Sequence, residues 1–161
     1  MNTAELHKKA SDHISELVSN VKDDQWGAAT PCADWTVKDL LNHVTYENVW
    51  VKPLVSGQTI DEVGDKFEGD LLGADPKSAW LAAASESEAA FAEPGALDRT
   101  VKLSRGDTPG SDYAAEVFMD LLIHSWDLAR GLGVDEHLDP ELVEACYKIL
   151  EPQAEAWRSG G

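Results

Sequence analysis

The chain has 161 residues, and 30 acidic against 13 basic side chains give it a formal net charge of −17. Hydrophobic residues at 43% and charged residues at 27% describe an ordinary globular protein with enough apolar surface to bury a core. So acidic a surface repels phosphate backbones and anionic lipids, which argues against nucleic acid as a partner, and every apolar run is too short and too interrupted by charge to cross a bilayer. The N-terminus, Met1-Asn2-Thr3-Ala4-Glu5-Leu6-His7, has no apolar secretory core. One cytoplasmic domain over residues 1–161 is therefore expected, with Cys32 and Cys146 reduced.

Leu6, Ala10, Ile14, Leu17, Val18 and Val21 fall at helical spacing and predict a first helix from Thr3 to about Val21. His13 borders that stripe, whereas His7, beside Lys8 and Lys9, reads as exposed. A loop broken by Gly27 and Pro31 follows, anchored by Trp26 and Trp35. Cys32 in this loop reads as packing, because no basic neighbour is present to activate its thiol. Thr36-Val37-Lys38-Asp39 has the pattern of a capping box and predicts a second helix to about Val55, closed by Pro53 and Gly57. Leu40, Leu41, Val44 and Val51 form its buried stripe, while His43, Tyr46, Glu47 and Trp50 share a neighbouring face that could line a pocket.

Residues 58–74 are rich in Gly and Asp, yet Ile60, Val63, Phe67 and Leu71 keep a rough helical period, so a short helix acting as a lid and an ordinary loop both remain open. Asp75-Pro76 opens a third helix through Ala92, and Pro94-Gly95 stops it. The stretch before Ser111 reads as an irregular crossover with at most one short strand. Ser111 caps the fourth helix, which Gly131 and Gly133 end. Asp139-Pro140 then opens a short extra C-terminal helix ending near Trp157. The predicted fold is all-α, an antiparallel four-helix bundle with that extra helix appended, and Trp on outer helices is compatible with a homodimer.

The chemistry concentrates in Asp120-Leu121-Leu122-Ile123-His124-Ser125-Trp126-Asp127. A carboxylate on so apolar a helix must be paired or must hold a cation. Asp120 and His124, at i and i+4, project from one face with Cβ atoms about 5–6 Å apart. His43 from the second helix would complete three ligands with a position left free, the open arrangement of a catalytic rather than a structural zinc site. Asp127 could orient an imidazole from behind or simply pair with Arg130 at i+3. Glu47 is a candidate proton carrier, and Tyr46, Trp50 and Trp126 are candidates to shape a ligand pocket.

Two stretches, Thr30-Pro31-Cys32-Ala33-Asp34-Trp35-Thr36 through His43, and Asp120 through Gly131 with its His-x-Trp-Asp-Leu-Ala-Arg run, together resemble the DinB-like metal-binding superfamily. Within it they are most similar to the branch of the mycothiol-dependent maleylpyruvate isomerase N-terminal domain. The resemblance implies a four-helix bundle holding a divalent ion, zinc or alternatively nickel, at positions that correspond to His43, Asp120 and His124. It also implies thiol S-transfer chemistry with mycothiol or a related cofactor as partner, acting on an electrophilic substrate. The isomerase carries a further C-terminal domain, and has Glu where this chain has the shorter Asp120. A hydrolase using the same site, and a metal- or ligand-binding module without catalysis, are the alternative expectations.

Overall fold

Asn2 starts the first helix. Its Oδ1 accepts from the Glu5 backbone N–H at 2.9 Å while the Glu5 carboxylate accepts from the Asn2 N–H at 2.8 Å, so two otherwise orphaned donors are satisfied at once. In this computed structural model, which describes residues 1–160, α1 runs Thr3–Ser19. It buries Leu6, Ala10, Ile14, Leu17 and Val18, and with them His7 and Ser11. His7 is thus not the exposed residue expected from its lysine neighbours. It lies on the same broad apolar stripe as Leu6 and Ala10, and Lys8 and Lys9 sit just beyond the edge of that stripe.

Thr36 and Asp39 form the expected capping box at the head of α2, Val37–Val49. The predicted long second helix is broken at Trp50, and α3, Val51–Val55, follows as a separate turn. Pro53 supplies the cause: its nitrogen cannot donate to the Val49 carbonyl, and its ring crowds that position. Residues 58–74 contain only the four-residue α4, Ile60–Val63, capped by Thr59 and Glu62. The rest of this segment is a loop pinned to α2, because the Asn42 side chain donates to the Gly69 carbonyl (3.1 Å) and accepts from the Leu71 N–H (2.8 Å).

Asp75 and Pro76 open α5, Pro76–Ala92, as expected. Trp80 at its centre is fully buried, with its indole N–H donated to Ser15 Oγ at 3.0 Å. The predicted crossover is instead a short helical turn, Ala96–Asp98, and an antiparallel hairpin of β1, Thr100–Leu103, with β2, Gly106–Pro109. The protein is therefore mostly helical with one small sheet. Gly110 begins α6, Gly110–Leu132, where a Cβ would stand 2.2 Å from the Ala96 carbonyl oxygen, so the helix can start hard against the preceding turn only with glycine there.

Each of α1 and α2 packs on both α5 and α6, and Phe91, Phe118, Leu121 and Leu128 fill the centre. Burying one such side chain is worth about 1.5–3 kcal/mol relative to leaving it in water. The C-terminal α7, Pro140–Gly160, is 21 residues long rather than short. It fastens to the rest through Leu142 and Cys146, leaving Tyr147 and Trp157 exposed. Among the described residues no helix is long and apolar enough to cross a membrane.

Candidate metal centre

The cluster forms where α2 faces α6. One oxygen of Asp120, Oδ1, stands 3.2 Å from His43 Nε2 and 3.3 Å from His124 Nε2, and the two imidazoles meet edge to face with centroids 4.9 Å apart. His43, Asp120 and His124 each offer one ligand atom, and all three atoms lie within 4.8 Å of one another. The second carboxylate oxygen, Asp120 Oδ2, is buried with no hydrogen-bond partner. An orphaned carboxylate oxygen beside two imidazoles is a donor set with capacity for a further partner, because such an oxygen is costly to bury unpaired.

The electrostatics agree. Burial pushes the Asp120 carboxyl up, but hydrogen bonds from His124 and His43 overcome that and bring it down to about 2. Burial likewise works to lower the His124 imidazole, yet Asp120 and Asp127 together hold it above its ordinary value. His124 has carboxylates at both nitrogens: Nδ1 lies 3.0 Å from Asp127 Oδ2, the arrangement that aims Nε2 at the Asp120 side. Asp127 is buried against His124, and Arg130 turns to Glu136 at 3.7 Å. The i+3 pairing of Asp127 with Arg130 is therefore not formed.

Glu47 sits one turn beyond His43. Its half-buried carboxyl is pushed up by burial and by the Asp120 charge, while His43 and His124 oppose that rise. Tyr46 borders, with His43, an open cavity of about 780 Å³ between α2 and the 68–70 loop. Trp50 lies behind it, its ring 6.0 Å from Tyr46 and 5.8 Å from Phe67, with its indole N–H buried and unpartnered. Trp126 instead carries the Arg130 guanidinium 5.1 Å over its ring.

Two neighbours of the cluster escape a reading by helical period, since both come from the loop before α2. Trp35 covers the imidazoles, its ring 5.0 Å from His43 and 6.2 Å from His124. Cys32, taken from sequence as packing, donates to Asp127 Oδ2 at 3.3 Å and lies 3.9 Å from His124 Nδ1. Burial and then the Asp127 carboxylate push its thiol up, so the expectation of an unactivated thiol stands even though its location was missed. The loop is seated by Gly131, where a Cβ would come within 3.0 Å of Thr30, and by Asp34, the one non-glycine with positive φ (66°) among the described residues.

Helices gathered in this order around a histidine–carboxylate cluster at the α2–α6 seam define a DinB-like fold. The profile of the mycothiol maleylpyruvate isomerase N-terminal domain matches residues 7–129, and the chain belongs to that family. Two uncharacterised proteins of Mycobacterium tuberculosis, from strains CDC 1551 / Oshkosh and H37Rv, are each 34% identical over 157 residues, covering 95% of this chain and 82% of theirs. Two crystal structures of the mycothiol-dependent maleylpyruvate isomerase share the fold. The form with a single histidine-to-alanine mutation superposes with a TM-score of 0.70 at 17% identity, and the other with 0.67 at 18%. Each alignment covers 89% of this chain but 65% of the isomerase, so the chain spans just under two thirds of that enzyme's length.

Proposed function

We propose that this protein is a metal-dependent enzyme that activates a low-molecular-weight thiol of the mycothiol type for S-transfer to an electrophilic substrate, with residues 1–161 acting as one DinB-like domain in the cytoplasm. The observation that carries the reading is the buried, unpartnered Asp120 Oδ2 beside two imidazole nitrogens. His43, Asp120 and His124 would hold the ion, and two imidazoles with one carboxylate suit zinc, with nickel as the alternative. Bound there, a divalent ion would supply the Lewis acidity that makes a thiol nucleophilic at neutral pH.

The remaining residues have separate tasks. Asp127 accepts from His124 Nδ1–H and so keeps the Nε2 lone pair free for the metal side. Glu47, whose carboxyl is pushed up by its burial, is suited to take the thiol proton and pass it to the outgoing group. Trp35 covers the imidazoles and limits water there, and Tyr46 presents its ring to the cavity where the organic part of the thiol would lie. Family membership supports this reading, and the fold relatives named as mycothiol-dependent enzymes agree with it.

The test is elemental analysis of untagged protein, with His43→Ala and His124→Ala beside the wild type. One equivalent of zinc or nickel in wild type, lost in both variants, followed by thiol-dependent turnover of a model electrophile, is the expected result. Metal uptake retained in both variants removes the two-helix centre. Turnover that proceeds without thiol points to a hydrolase using the same ion.

A further inference from the structure

His124 has a carboxylate at each ring nitrogen, and the two sides differ in the donor that stands beyond. On the Nε2 side it is a second imidazole, His43. On the Nδ1 side it is sulfur: Cys32 Sγ lies 3.9 Å from Nδ1 and 3.3 Å from Asp127 Oδ2, which itself stands 3.0 Å from Nδ1. A tetrahedral ion with ordinary zinc bond lengths to nitrogen, oxygen and sulfur separates its ligands by about 3.4–3.6 Å, so the edges of this triangle bracket the span one cation needs. Asp127 is buried, and its ion-pair partner among the described residues is His124 rather than a lysine or arginine. Arg130, the cation nearest to it in sequence, turns to Glu136. A buried carboxylate beside a thiol and an imidazole, with no fixed cation against it, is a setting that a metal ion neutralises.

We infer that Cys32, Asp127 and His124 Nδ1 form a second cation site, selective for a thiophilic ion of the copper(I) or cadmium kind, which competes with the first. Softness gives the selectivity, because only this donor set contains sulfur. The competition follows from the ring. A neutral imidazole has one lone pair and one N–H. An ion at Nδ1 leaves the Nε2–H to donate to Asp120, 3.3 Å away, and an ion at Nε2 leaves the Nδ1–H to donate to Asp127. One ring then serves one ion at a time. The inference goes beyond the thiol-activation reading and adds to it a means of emptying that centre. The fold itself places the sulfur: the Cys32 N–H donates to Thr30 Oγ1 at 3.2 Å, and the Cys32 carbonyl accepts from the Trp35 N–H at 3.1 Å. The turn so closed rests on Gly131, one helical turn beyond Asp127.

Cadmium chloride is the probe, read by the thiolate-to-cadmium absorption band in reduced protein. In metal-free wild type, His43→Ala and Cys146→Ser, the band is expected to saturate at one equivalent. Cys32→Ser should lose the band, and Asp127→Asn should weaken cadmium binding by about tenfold or more, the least that losing even a ligand's outer partner costs. A band absent from wild type, a band that follows Cys146, or an affinity unchanged in Asp127→Asn overturns the site, the last because a lone thiol then holds the ion. Zinc-loaded protein tests the competition. Cadmium should release zinc into the ultrafiltrate as the band rises, and Cys32→Ser should need about tenfold more cadmium for the same release. Zinc retained while the band saturates, or released equally from both proteins, overturns it. If the wild type takes up no zinc, the metal-dependent reading falls, while the band in metal-free protein still decides whether the Nδ1 site exists.

Discussion

Two histidine clusters lie on different faces of α2, and they differ in what surrounds the imidazole. At the α2–α6 seam, His43 and His124 face the carboxylates of Asp120 and Asp127 beside an open cavity. On the inner side, fully buried His7 meets Asn48 Oδ1 at 3.0 Å, and Ser87 Oγ donates to the same oxygen at 2.8 Å. Asn48 in turn donates to the Val44 carbonyl at 2.7 Å. Every hydrogen-bonding partner in this inner network is neutral. Burial therefore dominates and drops the His7 imidazole to about 4, while carboxylates lift His124. The inner network ties α1, α2 and α5 together and leaves His7 Nδ1 buried without a partner, as the outer one leaves Asp120 Oδ2. The difference lies in the company each orphan keeps: neutral amide and hydroxyl groups inside, two imidazoles and a second carboxylate at the seam.

The largest expected effect uses the opposite signs of these two shifts in metal-free protein. His7 is depressed on folding, so below pH 6.5 the unfolded chain binds a proton that the folded chain refuses until about pH 4. Stability should fall across that window by about 3 kcal/mol, since one proton bound only by the unfolded chain costs about 1.36 kcal/mol for each step of one in pH, and then stop falling on this account. His124 is raised, so its contribution is complete below pH 6.5 and fades as pH climbs through its folded value. Urea unfolding at a series of pH values should therefore show a maximum near neutrality. His7→Gln should flatten the acid limb alone, and an acid limb unchanged by His7→Gln would show that the imidazole is not the group responsible.

Next in size is Asn48→Ala, which strands the His7 Nε2–H and removes one of the two acceptors of Ser87, whose hydroxyl keeps the Ala84 carbonyl. A cost of about 2–3 kcal/mol is expected, that of leaving a buried donor unsatisfied on top of the lost packing, read as a lowered urea midpoint with an unchanged slope. Metal uptake should survive in the folded fraction. If Asn48→Ala loses metal while still folded, the two faces of α2 are coupled rather than independent.

How much of this was legible beforehand follows the same divide. His43, Asp120 and His124 stood out because a carboxylate and a histidine four apart on an apolar helix violate the pattern around them, and helical periodicity converts that violation into a shared face. The caps at Thr36 and Asp75 were readable because their partners are local. His7 was not, because its burial depends on the width of the α1 stripe and on Asn48, 41 residues away. Trp35 and Cys32 sit in a loop with no period, and only the packing of that loop against Gly131 brings them to the cluster. The hairpin was missed because Gly106-Asp107-Thr108-Pro109 is turn chemistry by composition, and its pairing with Thr100–Leu103 is set by register.

The smallest effects concern the support behind His124. Asp127→Asn replaces a charged acceptor by a neutral one and should weaken zinc binding about 10–100-fold, the usual consequence of losing a ligand's outer partner, measured by competition with a chromophoric chelator. Cys32→Ala should do far less. Its thiol is a weak donor held protonated by burial and by Asp127, and Asp127 keeps its closer bond to His124 Nδ1 without it. A change under about threefold in zinc affinity and about 1 kcal/mol or less in stability is expected. This variant also gives the sharpest check on which side of His124 the ion occupies. Cys32 Sγ, Asp127 and His124 Nδ1 lie within 4.8 Å of one another as well. If Cys32→Ala abolishes metal uptake while His43→Ala preserves it, the ion belongs on the Nδ1 side of His124, and the carboxylate oxygen left unpartnered at Asp120 needs another explanation.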